Sequence, residues 1–536
     1  MPFVGTVIAA SPVELPQWRA LARLVAIALL MTIGSCATVE LRDVPRVPSV
    51  AYETPAATRL GKAIYAEAAK HGGQSAFRVV ESGLAGFAAR MRLIDAAEQT
   101  VDLQYFLMEG ETAELVGERL LAAADRGVRV RVLIDDYGQR GNQRTLAALS
   151  SHPRIEARTF NPVLMRGPAA ALAAFEYVAR GAQLNRRMHN KLFVVDNAIA
   201  LIGGRNIGDS YFEAPGPIDF QDLDLVAAGP IVRELSASFD DYWNSDYAVP
   251  VEALMLRSPS AEDVAEARAT LAAARERNRD TPYARAVITS RLPQALVDGK
   301  FAPTWARARV LADSPRKVDP IRDDGRRRIG DELLPAFGSV ARELLIVSPY
   351  VIPGEAGIAA IRAASARHAR VGILTNSLAT TDAPLAHAGY ASSRAALLDA
   401  GVELYELKSQ ATAFGRNERR GPSSGSRTSL HAKALVFDRR FVFFSSMNLD
   451  ERSIRLNTEV GLWIDSPALA TEIARRFDEA TRPDNSYHVV RSAEGRLEWM
   501  SASDGVAQRY DDEPDTTATE RLRARLTQLL PIEREL

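Results

Sequence analysis

His189-Asn-Lys191-Leu-Phe-Val-Val-Asp196 and His431-Ala-Lys433-Ala-Leu-Val-Phe-Asp438 are the two stretches on which the reading of this chain turns. Each runs on to a pair of small residues, Gly203-Gly204 and Ser445-Ser446, and then to Asn206 and Asn448. In both copies Lys follows His by two, Asp follows Lys by five, and the small pair and Asn follow Asp by seven, eight and ten. The copies start 242 residues apart, so the chain is a duplicated domain.

Residues two apart on a strand face the same way, so His189 projects with Lys191 and His431 with Lys433. The apolar runs that follow, Leu192–Val195 and Ala434–Phe437, must pass through a core. An imidazole beside an ammonium suits an anionic substrate. The Lys neutralises phosphate oxygens, and a neutral His attacks phosphorus or passes a proton. Gly204 and Ser446 are expected to leave room for a phosphate close to the backbone, with Asn206 and Asn448 supplying amide donors. One copy offers half a site; two copies facing across a pseudo-twofold axis offer a nucleophile and an acid. A lone His at the head of an apolar strand would read as structural, and the matched duplication argues against that. No metal is expected, because each Lys repels a cation beside its His and no His-x3-His or Cys pair completes a ligand set.

Strands and helices alternate around both motifs. Val101–Leu107, Val128–Ile134, Leu344–Val347 and Val371–Leu374 read as strands, and Met91–Ala97, Glu114–Ala124 and Ala356–Ala369 as helices. That alternation indicates parallel sheets covered on both faces. Residues 1–36 read as a leader, 37–75 as a tether, 76–255 and 331–500 as the two α/β domains, 256–330 as a helical connector and 501–536 as a helical tail. In that tail Leu522, Leu526, Leu529 and Leu530 fall on one side of a helix, expected to pack on the second domain, with membrane contact as the other use. Arg186-Arg187, and Arg416, Arg419, Arg420 and Arg427, are either solvated loops or a lure for anionic headgroups. Residues 161–182 are either core or a wall for acyl chains.

The 536 residues carry 66 Lys+Arg against 67 Asp+Glu, for a net charge of −1, which gives no general electrostatic grip on nucleic acid. A single Cys excludes an internal disulfide. No run of about 20 uninterrupted apolar residues occurs, which excludes a polytopic membrane protein. Arg19 and Arg23 precede the apolar stretch Leu24–Ile33, which ends at Gly34-Ser35-Cys36, the layout of a secretory signal. Ile-Gly-Ser-Cys resembles a bacterial lipobox, in which Cys36 would be lipidated after cleavage. The alternative is a cleaved signal with an incidental Cys. Eighteen non-basic residues before Arg19 are atypical and fit a start codon placed too early.

The doubled His-x-Lys-x4-Asp pattern, with Gly/Ser-x-Asn after each copy, resembles the phospholipase D superfamily. Leu184–Lys191, Gly203–Gly208, Ser348–Tyr350, Thr375–Ser377 and Asn457–Glu459 make it most similar to bacterial cardiolipin synthases. The resemblance implies an α/β fold of two duplicated α-β-α sandwich domains sharing one active site. It implies cofactor-free phosphatidyl transfer through a phosphohistidine, with His189, Lys191, Asp196, His431, Lys433 and Asp438 as the motif set and Asp196 and Asp438 structural within it. It further implies an acidic residue downstream of each motif orienting a His. Glu459 matches that position in the second half; Asp222 is favoured over Asp224 in the first. The expected partners are membrane phospholipids, phosphatidylglycerol first and phosphatidylethanolamine second, at an envelope membrane facing the periplasm. Ala37 in place of Asp after Cys36 points to the outer membrane. Hydrolysis of phospholipid is the alternative reaction, then an exported nuclease. A catalytically dead lipid-binding scaffold would show an eroded motif, and both are intact.

Overall fold

The computed structural model describes residues 44–138, 143–164, 173–411 and 426–529, apart from single positions 215, 256, 299, 324, 326, 327 and 504. The leader with Cys36, Arg416, Arg419, Arg420 and Leu530 lie outside the described residues.

In the first half, β1 (Ser75–Val80), β2 (Thr100–Leu107), β3 (Arg129–Gly138), β4 (Ile155–Phe160), β5 (Leu192–Val195), β6 (Ile199–Gly203), β7 (Ile218–Gln221), β8 (Asp224–Ala228) and β9 (Ala248–Pro250) follow in chain order. All but β7 join one sheet, in which β2, β3 and β4 are parallel and the remaining pairings antiparallel. The second half repeats the plan with β10 (Thr304–Ala312), β11 (Glu343–Val347), β12 (Val351–Ile352), β13 (Arg370–Asn376), β14 (Val402–Leu407), β15 (Arg427–Leu430), β16 (Ala434–Phe437), β17 (Phe441–Ser445), β18 (Leu449–Asp450), β19 (Val460–Asp465) and β20 (Ser486–Arg491). There β11, β13 and β14 are the parallel trio. A hairpin of β21 (Leu497–Ser503) and β22 (Val506–Tyr510) extends the edge. The β1–β10 pairing joins the halves into an 18-stranded sheet.

The expectation of parallel sheets therefore holds only for the central trios. The strands that carry the motifs are antiparallel because their connections are too short for a crossover. Between β5 and β6 the chain turns through Asp196 and Asn197, both at positive φ (52° and 50°). Between β16 and β17 it turns through Asp438 and Arg439 with the same two angles. Paired positive φ is the turn geometry that matches strand twist in a hairpin.

The motif strands are apolar throughout because both their faces are buried. Phe193 and Val195 enter a core cluster on the outer side of the first half. Leu192 and Val194 enter a second cluster, which they share with Leu345, Val347, Ala434 and Val436 of the other half. The helix Gly110–Asp125 buries Leu115, Val116, Leu120 and Leu121 on the outer cluster, and Gly127 (φ 97°) stops it.

The segments between the domains differ from expectation. From Val47 the tether is strapped to the first domain: Arg158 binds the Val47 carbonyl, Arg131 the Ser49 carbonyl, and Asp240 accepts the Ala51 N–H. A helix, Arg59–Lys70, then follows. Two buried Arg seeking acceptors make this stretch a packed element and not a free linker. The connector holds helices Ala261–Arg277, Pro282–Thr289 and Leu292–Val297, and also β10, which is already part of the second domain's sheet. Alternation along β10 is masked by charge (Trp-Ala-Arg-Ala-Arg-Val), which is why it read as connector. The tail begins in the last residues of β21 and continues as β22 before the helix Ala518–Thr527. That helix packs on the second-domain helix Pro384–Asp399, as expected, but it buries Ala524 there and leaves Leu522, Leu526 and, just beyond its end, Leu529 more than half exposed.

Candidate active site

Each motif His is suspended from the backbone of the opposite half. The His189 N–H donates to the Thr458 carbonyl at 2.9 Å, and Met188 bridges Thr458. The His431 N–H donates to the Gln221 carbonyl at 2.8 Å, at the end of a parallel pairing of β15 with β7. The next residue along each of those partners is a carboxylate, Glu459 and Asp222.

These carboxylates meet the imidazoles across the interface. Glu459 lies 2.9 and 3.0 Å from His189 Nδ1. Asp222 Oδ2 lies 2.6 Å from His431 Nδ1. A carboxylate only accepts when ionised, so Nδ1 carries the proton and Nε2 keeps its lone pair. Asp224, the alternative to Asp222, is spent elsewhere: Arg90 grips both its oxygens at 2.8 and 2.9 Å in full burial.

The small residues after each motif make room for these carboxylates, which corrects the expectation of space for phosphate. A Cβ on Gly204 would stand 2.5 Å from Asp222 Oδ1 and 2.7 Å from the His431 carbonyl. At the matching position the Ser446 hydroxyl donates to Glu459 Oε2. The Asn pair is also unequal. Asn206 donates to the Tyr211 hydroxyl (2.8 Å) and accepts from the Leu107 N–H. Asn448 makes no hydrogen bond among the described residues, and its Oδ1 is buried.

Lys191 Nζ donates to the His189 carbonyl at 2.8 Å and Lys433 Nζ to the His431 carbonyl at 2.6 Å. Both ammonium groups are thereby held beside the imidazoles. Asp196 and Asp438, grouped with the catalytic residues by their place in the motif, sit at the hairpin turns. Asp196 accepts the N–H groups of Glu98, Gln99 and Thr100; Asp438 accepts those of Ala341, Arg342 and Glu343. The four residues of β5 separate Asp196 from the pocket by about 13 Å, so it clamps strands and touches no substrate.

Burial dominates the electrostatics. It pushes both imidazoles well below the usual His range, assisted by the two ammonium groups. It lowers Lys191 to about 7 and also lowers Lys433. It raises Glu459 to about 7 and Asp222 to about 6, against the pull of the lysines. Every charge here is costly without a partner, and two buried ammonium groups side by side suit an anion.

Arg187 is buried, with Nη1 3.6 Å from Asp135, and Arg186 donates to the Lys317 carbonyl of the other half. They brace the interface, and neither reading given above describes them. The roles of two residues escaped the sequence reading. Asp135 Oδ2 accepts the Met188 N–H (2.9 Å) and Asn376 Oδ1 the Leu430 N–H (2.8 Å), at equivalent ends of β3 and β13. Each thus holds the residue just before a motif His. Both are polar residues closing an apolar strand, and Asn376 also lies in the Thr375–Ser377 segment that carries the family resemblance. Phe106 lies edge-on to His189 at 5.3 Å; Tyr211 and Phe220 flank His431 at 5.0 and 4.9 Å.

Residues 91–243 and 333–481 each match the family described as "Cardiolipin synthase, PLD-like domain". The chain is 38% identical over 481 residues to "Cardiolipin synthase C" of Escherichia coli (strain K12), covering 89% of this chain and 99% of that protein. The chain belongs to the phospholipase D-like cardiolipin synthase family. This family member is also 31% identical to an uncharacterized protein of Helicobacter pylori (strain ATCC 700392 / 26695), over 90% of this chain and 93% of that one. Among solved structures it superposes on phosphatidylserine synthase of Haemophilus influenzae Rd KW20 with a TM-score of 0.52, over 88% of this chain and all of that one. At 13% identity that likeness concerns the fold.

Proposed function

We propose that this protein makes cardiolipin by transferring a phosphatidyl group between membrane phospholipids through a phosphohistidine. The observation that carries the proposal is the exchange of carboxylates: each half orients the other's His, so neither half is a site alone. His189 Nε2 attacks phosphorus. A P–N bond forms, the P–O bond to the headgroup breaks, and His431 Nε2–H protonates the departing oxygen. The anionic phosphate favours that protonated imidazole, offsetting its depressed proton affinity. The glycerol hydroxyl of a phosphatidylglycerol then gives its proton to His431 as its oxygen bonds phosphorus and the P–N bond breaks. Lys191, Lys433 and Asn448 hold the equatorial oxygens. The donor is phosphatidylglycerol or phosphatidylethanolamine.

The lipid surface fits the leucines exposed on the helix Ala518–Thr527, whose Glu520 feels Arg427 at the head of the strand leading to His431. Among the described residues no helix is long and apolar enough to cross a membrane. A lipid on Cys36 would hold the enzyme at an envelope membrane facing the periplasm, and Cys36→Ala should then lose fatty-acid labelling. The function is tested by incubating purified protein with labelled phosphatidylglycerol, alone and with phosphatidylethanolamine. Labelled cardiolipin is the expected product. Phosphatidic acid alone would mean a hydrolase, and nuclease activity without lipid turnover would refute the proposal.

A further inference from the structure

Four carboxylates act on the buried ammonium of Lys433: Asp222, Glu459, Asp382 and Asp450. Three have evident employment. Asp222 and Glu459 hold the imidazoles, and Asp450 caps the helix Glu451–Arg455 through the Ser453 N–H at 2.6 Å. Asp382 is different. Both its oxygens receive the single Tyr350 hydroxyl, at 3.0 and 2.8 Å, and among the described residues no cation pairs with it within 4 Å. A carboxylate accepts about four hydrogen bonds, so this one keeps capacity. It is partly exposed, unlike the other three.

Its position is fixed by the chain. Asn376, six residues earlier, both accepts from the Leu430 N–H and donates to the Leu430 carbonyl, tying this loop to the residue before His431. Asp382 also acts on Tyr211, whose ring lies edge-on to His431. It therefore stands on the His431 side of the pocket, the side where the alcohol leaves and the acceptor enters. A carboxylate beside a phosphate subsite repels the substrate unless the substrate brings something for it to hold. A group rich in hydrogen-bond donors does so.

We infer that Asp382, held by Tyr350, is a specificity residue that binds the donor-bearing end of the alcohol, an ammonium or a vicinal diol, over His431. This rests on the transfer reaction proposed above and adds a consequence. Water needs no such subsite, so Asp382 favours transfer over hydrolysis by orienting the acceptor's free hydroxyl while its reacting hydroxyl faces His431.

The test uses the full-length protein and its Asp382→Asn and Tyr350→Phe variants, each checked for an unchanged thermal unfolding midpoint. Three substrates are compared: phosphatidylglycerol vesicles, mixed phosphatidylethanolamine–phosphatidylglycerol vesicles, and bis(4-nitrophenyl) phosphate, which carries no headgroup donor. Asp382→Asn should cut cardiolipin formation tenfold or more and lower the ratio of cardiolipin to phosphatidic acid. It should leave cleavage of the activated diester within about threefold. Tyr350→Phe should shift the ratio in the same direction by less. A selective loss of ethanolamine release identifies the ammonium as the bound group, and an equal loss with both vesicles identifies the diol. An equal fall on all three substrates at constant product ratio would overturn the inference, making Asp382 a tuner of Lys433. No change in any would also overturn it. A wild-type protein that cleaves the activated diester but no lipid would instead refute the proposed function.

Discussion

Glu459 stands 2.9 Å from the ring nitrogen of His189, a residue 270 positions earlier in the chain. The reciprocal contact, Asp222 to His431 at 2.6 Å, spans 209 positions. The two halves are thus interlocked at the level of single protons, and the consequences can be measured.

Replacing either His189 or His431 by Ala should lower lipid turnover on the order of 10⁴-fold, since nucleophile and acid work as a unit. Rapid quench with a good-leaving-group diester should trap label on His189 in the His431→Ala protein. Label on His431 in His189→Ala would reverse the assignment, and two half-active variants would refute a shared site.

The carboxylates should behave as partners of the opposite half's His. Glu459→Gln removes the charge behind His189 and should slow adduct formation by roughly 10²–10⁴-fold. Asp222→Asn should spare adduct formation from the activated diester while slowing lipid transfer. If Glu459→Gln left formation of the His189 adduct at the wild-type rate, the crossed pairing would have no catalytic meaning.

Gly204→Ala should be inactive out of proportion to its size. The new Cβ would collide with Asp222 at 2.5 Å and push the carboxylate off His431. We expect a stability loss of about 1–3 kcal/mol from overpacking, and an activity loss well beyond it. Denaturant melts alongside kinetics separate the two; wild-type kinetics would show that Asp222 has room to move.

The pH profile should be a narrow bell in kcat/KM. As pH falls through about 7, Glu459 takes up a proton and releases His189. As pH rises through about 7, Lys191 loses the proton that makes it a cation. The need for protonated His431, whose proton affinity burial lowers, draws the maximum to neutrality or just below it. In kcat the alkaline limb should move upward, because bound phosphate holds the proton on Lys191. A profile flat for about one unit either side of neutrality would contradict the assignments.

Asp196→Ala should destabilise without entering the chemistry. It strands three backbone N–H groups, at a cost of about 2–4 kcal/mol. Urea unfolding reads the loss, and the fraction still folded should keep wild-type turnover per molecule. Selective loss of turnover in a stably folded variant would place Asp196 in the site after all.

The sequence by itself determined the duplication, the central strands and helices and the two His–Lys pairs. These are encoded locally, by a period of two along a strand, by apolar runs and by fixed offsets within ten residues. The structural role of Asp196 and Asp438 came with the family resemblance. The preference for Asp222 over Asp224 came from position within the pattern that the family resemblance implies. What lies beyond local spacing was decided by the tertiary structure. No periodicity shows that Glu459 serves His189 and not His431, because the pairing is made by two halves of one sheet folding face to face. Gly204 and Ser446 read as space for phosphate, since only the fold shows which carboxylate fills that space. The leucines of the last helix read as core because amphipathicity states that a face is apolar without saying what covers it. The roles of Asp135, Asn376 and Asp382 were silent for the same reason: a polar residue after an apolar strand gains its meaning from what the rest of the chain brings within 3 Å of it.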